Sequence, residues 1–307
     1  MSIATKLPKP ADVLRRYQES EGRYARVARR FAKNRLAMIG LAFTILYFFF
    51  GIVGPMLVPH DPTAIQSTQR FLGPSLTHPF GTDRFGRDIL SRIMMGARLS
   101  LVVAVVVVTI ATTVGVTFGL LAGYFRGLVD ESIMRFVDVL FAFPAILLAL
   151  VIIAILGRGL DRAILAIAIA FVPIMVRVTR SRAISVREED YILAARAYGE
   201  RTHYIMFREM LPNLVSVVMV QATITFAFSI LAEAGLSYLG LSAQPPTITW
   251  GLMIAEGQRD IIRAPWATIF PGLAIMATVL ALTFLGVGLR DALDPKTDIE
   301  TDVGGGM

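Results

Sequence analysis

Two carboxylates, Asp138 in RFVDVLFAFP and Glu233 in SILAEAGLSYLG, stand inside long apolar stretches. A charge is costly to bury there and usually serves a purpose. Asp138 follows Arg135 by one helical turn, so an i,i+3 ion pair at the membrane surface accounts for it without a transport role. Glu233 has no basic residue within four positions, so its partner is expected from another segment or another chain. It is the candidate for a gate or substrate path, weighed against the plainer reading of a hydrogen bond to a neighbouring helix. Other chemistry finds no support. The chain has no G-x-x-x-x-G-K-[ST] phosphate loop, no H-E-x-x-H zinc helix and no G-x-S-x-G nucleophile elbow. With no cysteine, disulfides, thiolate metal sites and cysteine nucleophiles are excluded. His60, His78 and His203 lie far apart in sequence and are expected on both sides of the membrane, which argues against a metal site. No catalytic and no metal-binding residue is assigned.

The elements that must position these residues follow from composition. Of 307 residues 55% are hydrophobic, mean hydropathy is +0.64, and several apolar runs reach the roughly 20 residues that cross a bilayer as helix. The expectation is an all-α polytopic membrane protein with six transmembrane helices near 36–58, 99–123, 136–157, 162–178, 212–235 and 266–289. The fourth is the weakest, because Pro173 interrupts it and Arg177 closes it early. Residues 1–35 form a basic N-terminal segment, 59–98 an extracytoplasmic loop, 99–290 a five-helix core and 291–307 a tail. An even number of spans puts both termini on one side with the loops 124–135 and 179–211, and these segments with their flanks hold 21 of the 30 Lys and Arg residues. That side is expected to be cytoplasmic by the positive-inside rule. The net charge of +7 therefore reads as topology and lipid contact, not nucleic-acid binding. In RRYQESEGRYARVARRFAKNR, Tyr17, Tyr24, Val27 and Phe31 recur at roughly helical spacing, as in a membrane-surface helix.

Small residues mark where helices meet. Ala111, Gly115, Gly119 and Gly123 recur every four residues, leaving one helix face nearly bare so that a neighbouring backbone can approach. Pro144 and Pro173 are candidate kinks, for which ordinary helix packing is the preferred reading.

The charged stretch DYILAARAYGERTHYIMFREMLPN, residues 190–213, sits between two apolar runs. It reads as a short helix from Arg187 to Tyr198, a break at Gly199, a second helix from Arg201 to Met210, and Pro212 opening the next span. Small residues at the bend, with Tyr198, Ile205, Met206 and Phe207 on either side, suit insertion into a groove of a soluble partner. An interfacial helix lying on lipid is the rival reading.

The spacing Ala194-Ala195, Gly199, Leu211-Pro212 resembles the EAA loop of ABC importer permeases, with Leu193 where the pattern has Glu and Glu209 where it has Ile. HPFGTDRFGRDILSRIMMGARLSL (78–101), VDVLFAFP (137–144) and EAGLSYLGLS (233–242) resemble signatures of the dipeptide/oligopeptide/nickel class, in its second permease subunit. The resemblance runs from about residue 25 to 295. It implies a coupling loop at about 187–211 that docks on ATPase subunits, two of them on the cytoplasmic face. It further implies a second related permease and an extracytoplasmic solute-binding protein. ATP and magnesium would then belong to the ATPase chains, with no cofactor in this one and peptides or similar solutes as cargo. The alternatives from other classes are an ion-coupled secondary transporter working alone and a structural membrane scaffold.

Overall fold

The computed structural model describes residues 27–293. Hydrocarbon offers a backbone no water to bond, so a chain this apolar closes its hydrogen bonds within helices. Among the described residues the only strand-like pairing is an isolated bridge between Thr82 and Asp88. The helices in chain order are α1 (Arg35–Ile52), α2 (Ile89–Phe125), α3 (Gly127–Phe141), α4 (Ala145–Leu156), α5 (Leu160–Arg187), the short α6 (Asp190–Ala197), α7 (Leu211–Tyr238), the short α8 (Trp250–Gln258) and α9 (Trp266–Leu293). Among the described residues, five stretches are long and apolar enough to cross a membrane: α1, α2, α5, the Thr202–Tyr238 stretch that contains α7, and α9. The pair α3 and α4 makes a sixth if it counts as one span despite an 88° bend.

Side-chain caps fix where three helices begin. Asn34 accepts from the Ala37 amide at 3.2 Å for α1, Asp88 from Ser91 at 2.8 Å for α2, and Thr249 from Leu252 at 3.2 Å for α8. Packing then follows the small residues. Gly115, Gly119 and Gly123 of α2 face Met175, Thr179 and Ala183 of α5, so closely that an added Cβ would lie 2.4, 2.6 and 2.5 Å from those three Cβ atoms. Both rows advance by four residues, so the two backbones meet along two helical turns. A second seam joins the first span to the last. A Cβ on Gly40 would meet the Ala281 carbonyl at 2.6 Å, and one on Gly288 the Ala37 Cβ at 2.1 Å. α7 lies against α2, α5 and α9, and α8 rests on α9 and α7.

Several helices depart from the spans expected from hydropathy. α2 starts at Ile89, ten residues before 99, because Arg92 is buried against Glu256 and so costs the helix less than its hydropathy suggests. α1 ends at Ile52 and is followed by a separate turn, Gly54–Leu57, that opens with Pro55. The fourth expected span is not the weakest. α5 runs unbroken through a buried Pro173 for 28 residues and packs closely on α2. Pro144 does the opposite, for it lies exposed at the 88° break between α3 and α4. It has no N–H to continue the helix and disfavours helical geometry at Phe143 before it. Asp138 does not pair with Arg135. It binds Arg177 at 2.6 Å, while Arg135 binds Glu131 at 2.6 Å and Arg180 grips Asp130 through both carboxylate oxygens at 2.5 and 2.6 Å. α3 is thus clamped to α5 by charge. Of the expected surface helix, residues 27–33 are helical; Tyr17 and Tyr24 lie outside the described residues.

Candidate functional site

At the end of the bundle where α2 and α5 finish, residues 190–213 form a two-part elbow. α6 stops at Ala197, and Gly199 takes a left-handed turn (φ +74°) with nothing within 4 Å of where a Cβ would be. Arg201 is extended. Thr202–Tyr204 resumes as helix, Ile205–Met210 continues as a π turn, and α7 opens with Leu211 and Pro212. Pro212 has no amide hydrogen to give the carbonyl one turn back, and the chain meets it with the wider π spacing.

The elbow has two unlike sides. Ile192, Ile205, Met206, Met210 and Leu214 are buried against Leu120, Tyr124, Ala183 and Val186 of α2 and α5. Ile205 and Met206, expected to supply bulk beside the bend, therefore point into the protein. The free side carries Leu193, Phe207 and Tyr198, the last 92% exposed, around the open bend at Gly199. Ala194 is exposed, whereas Ala195 and Leu211 are half-buried and pack on the inner cluster. Polar ties brace the structure. The Asn213 amide donates to the Tyr191 hydroxyl at 2.9 Å and to the Glu209 carbonyl at 2.8 Å. The Arg196 guanidinium lies 4.5 Å above the Tyr124 ring, and Arg126 binds Glu188 at 2.5 Å. Burial, helped by Glu189 and Glu209, raises the Tyr191 phenol above its ordinary pKa and keeps it neutral. Spacing gave no signal for the Asn213 tie, since it closes across 22 residues.

The opposite end gathers the loop before α2. Arg87 bridges Asp83 at 2.6 Å and Glu256 at 2.7 Å, and the buried Arg92 reaches the same Glu256 oxygen at 3.1 Å. Trp266 donates to the Thr82 carbonyl at 3.0 Å, and Trp250 to that of Ile93 at 2.9 Å. His60 and His78, read as far apart, meet here with ring centroids 4.6 Å apart, beside Asp88. Glu233 is 1% exposed. It accepts from Ser237, one turn further along α7, at 2.6 Å. Oε1 is thus satisfied by a hydroxyl of its own helix, while Oε2 is buried with no hydrogen-bond partner.

Residues 115–299 match the family described as binding-protein-dependent transport system inner membrane component. The chain belongs to this family. Residues 23–74 of the permease also match the N-terminal transmembrane domain of oligopeptide transport permease C. The dipeptide transport system permease protein DppC of Alkalihalophilus pseudofirmus is 46% identical over 264 residues, covering 86% of this chain and 87% of the relative. The glutathione transport system permease protein GsiD of Escherichia coli is 44% identical over 269 residues, covering 87% and 89%. Among solved structures, an inward-facing MetNI methionine ABC transporter has a chain that superposes with a TM-score of 0.54 at 18% identity, over 66% of this chain and 97% of that one. That likeness is one of fold. The permease is an all-helical, multi-pass inner-membrane subunit of an ABC transport system, a system that implies partner subunits.

Proposed function

We propose that the permease moves peptides or related small solutes across the membrane by alternating access, driven by two ATP-binding subunits that dock on the free side of residues 190–213. Both chain termini and the elbow lie in the cytoplasm. A second homologous permease completes the path, and an extracytoplasmic solute-binding protein delivers cargo to the end formed by residues 59–88. ATP and magnesium are held by the ATPase subunits, and this chain supplies positions and motion. The observation that carries the reading is the two-sided elbow. Its inner face is packed on α2 and α5, while Leu193, Phe207 and Tyr198 are left exposed beside a bend with room around it. Apolar and aromatic side chains held rigidly in water are what a protein groove recognises. The cargo class rests on the relatives, named for dipeptide and glutathione transport.

The test is a charge on the free side. Ala194 is exposed, so Ala194→Arg is expected to leave membrane levels unchanged, yet to cut uptake at least about tenfold, the factor that 1.4 kcal/mol of lost docking produces. Ala195 is a poorer probe, because an arginine there would also disturb the inner cluster. Wild-type uptake and full ATPase co-purification by Ala194→Arg at equal protein level would overturn the docking reading.

A further inference from the structure

We propose that His60, His78 and Asp88 form a binding site for a divalent transition-metal ion of the zinc type, which pins the loop of residues 59–88 to the start of α2. The three side chains offer ligand atoms that all lie within 4.8 Å of one another. Asp88 is held by its helix-capping role. Its Oδ2 accepts from the Ser91 amide at 2.8 Å and the Ser91 hydroxyl at 2.7 Å. Oδ1 is thereby turned toward both imidazoles, 2.9 Å from His78 Nδ1 and 3.9 Å from His60 Nδ1. His60 is steered to the same place by its own backbone amide, which donates to the Ser91 hydroxyl at 3.2 Å.

The contacts around this gap leave one ligand atom over. His78 is held from its far side, where Nε2 lies 3.0 Å from the Gln69 side-chain oxygen, and its Nδ1 faces Asp88 Oδ1 at 2.9 Å. His60 Nδ1 is buried beside them with no hydrogen-bond partner, although the two rings stand only 4.6 Å apart. A cation among the three atoms would give His60 Nδ1 the partner it lacks.

The geometry suits a small ion. With bonds of about 2.0–2.1 Å, tetrahedral ligand atoms stand about 3.3 Å apart; Asp88 Oδ1 lies 2.9 and 3.9 Å from the two imidazole nitrogens, and all three atoms fall within 4.8 Å of one another. Two imidazoles and one carboxylate select zinc-like ions over calcium or magnesium. The outer shell is also in place, since a ligating histidine donates its other N–H to a nearby acceptor, here Gln69, and a ligating carboxylate is itself hydrogen-bonded, here by Ser91. The His60 side chain is 37% exposed, so this ligand sits at the rim of the site although its Nδ1 is buried.

The experiment uses the full-length chain purified from membranes with its partner subunits, stripped with a chelator and equilibrated with buffered Zn²⁺. Bound zinc is counted by elemental analysis for the wild type, His60→Ala, His78→Gln and Gln69→Leu, so that zinc on partner chains cancels. The wild type should hold one more zinc per copy than His60→Ala or His78→Gln. Gln69→Leu should weaken binding about 10–100-fold, as loss of an outer-shell partner does. His60 sits at the rim of the site, so His60→Ala decides the matter even if His78→Gln fails to assemble. Equal zinc in the wild type and His60→Ala would overturn the site and leave a hydrogen-bonded loop anchor.

Discussion

The glycine seam between α2 and α5 permits a prediction whose sign depends on which atom is in the way. Gly123→Ala places a methyl 2.5 Å from the Ala183 Cβ, with the Arg180 carbonyl at 3.1 Å and the Ile184 amide nitrogen at 3.3 Å. Carbon atoms want about 3.5–4.0 Å, and a gap of 0.5–1 Å forfeits a quarter to a half of each neighbouring contact. The helices must therefore part by roughly 1 Å, which puts the cost toward the upper end of the 1–3 kcal/mol typical of overpacking. Alanine returns up to about 1 kcal/mol of helix propensity. The expected net loss is about 1–2 kcal/mol. Adding Ala183→Gly removes the obstructing atom, and the double variant should recover most of that loss. Gly119→Ala differs, because its methyl would lie 2.6 Å from the Thr179 Cβ and also 2.7 Å from the Val176 carbonyl. No side-chain substitution removes a carbonyl. Thr179→Gly is thus expected to rescue Gly119→Ala poorly. Equilibrium unfolding of each purified variant in one detergent gives the coupling energies through a double-mutant cycle. If Gly123→Ala were more stable than wild type by its full propensity gain, or if both pairs were rescued alike, the seam would not be packed as described.

Three further outcomes follow from charge and hydrogen bonding. Glu256→Gln should cost about 3–5 kcal/mol, because it strips the buried Arg92 of its counter-charge. Asp138→Asn should cost under about 1 kcal/mol, because both side chains of its pair with Arg177 are exposed; equal melting-point losses in the two would refute this ordering. Glu233→Gln should retain uptake, since an amide oxygen can still accept from Ser237, whereas Glu233→Leu should lose about 1–3 kcal/mol by leaving that hydroxyl unpaired. Abolished uptake in a stable Glu233→Gln protein would instead place the carboxylate in the transport path. Glu209→Ile should be tolerated in uptake assays, because the elbow uses the Glu209 backbone carbonyl as acceptor for Asn213; loss of uptake would assign the side chain a role of its own.

What the sequence revealed was whatever repeats along one helix or breaks one. Gly115, Gly119 and Gly123 announced a packing face by their spacing of four, yet nothing local named Met175, Thr179 and Ala183 as what they pack against. The bend at Gly199 and the start at Pro212 were legible as backbone chemistry. Which side Ile205 and Met206 face was not, because the π turn Ile205–Met210 shifts the register on which such inferences depend. Asp138 was assigned the nearest arginine in sequence, whereas its partner stands 39 residues away on a neighbouring helix. The two prolines carry the same lesson. Pro173 is buried within an unbroken helix packed on α2, while Pro144 is exposed at the break between α3 and α4. His60 and His78 meet inside a loop that no periodicity describes.

These particulars explain why a charged stretch interrupts so apolar a chain. Its Arg196 lies over Tyr124 and braces the elbow against α2, beside the ion pair of Arg126 with Glu188, while its apolar residues anchor it to the ends of α2 and α5. Those two helices are locked together by the glycine seam, and α3 is clamped to α5 through Arg180 and Arg177. A force applied at Tyr198 and Phe207 therefore meets a stiff unit, since close-packed interfaces shift as bodies and do not yield gradually. Under the proposed function, closure of the ATPase pair would displace α2, α3 and α5 together and draw α7 along through Leu214, which is buried in the same cluster. The far end of α2 is tied to α8 by the bond from Trp250 to the Ile93 carbonyl and to Glu256 by Arg92. Motion at the elbow would thus reach the far end of α2 through packing, hydrogen bonds and ion pairs, as the proposed function requires.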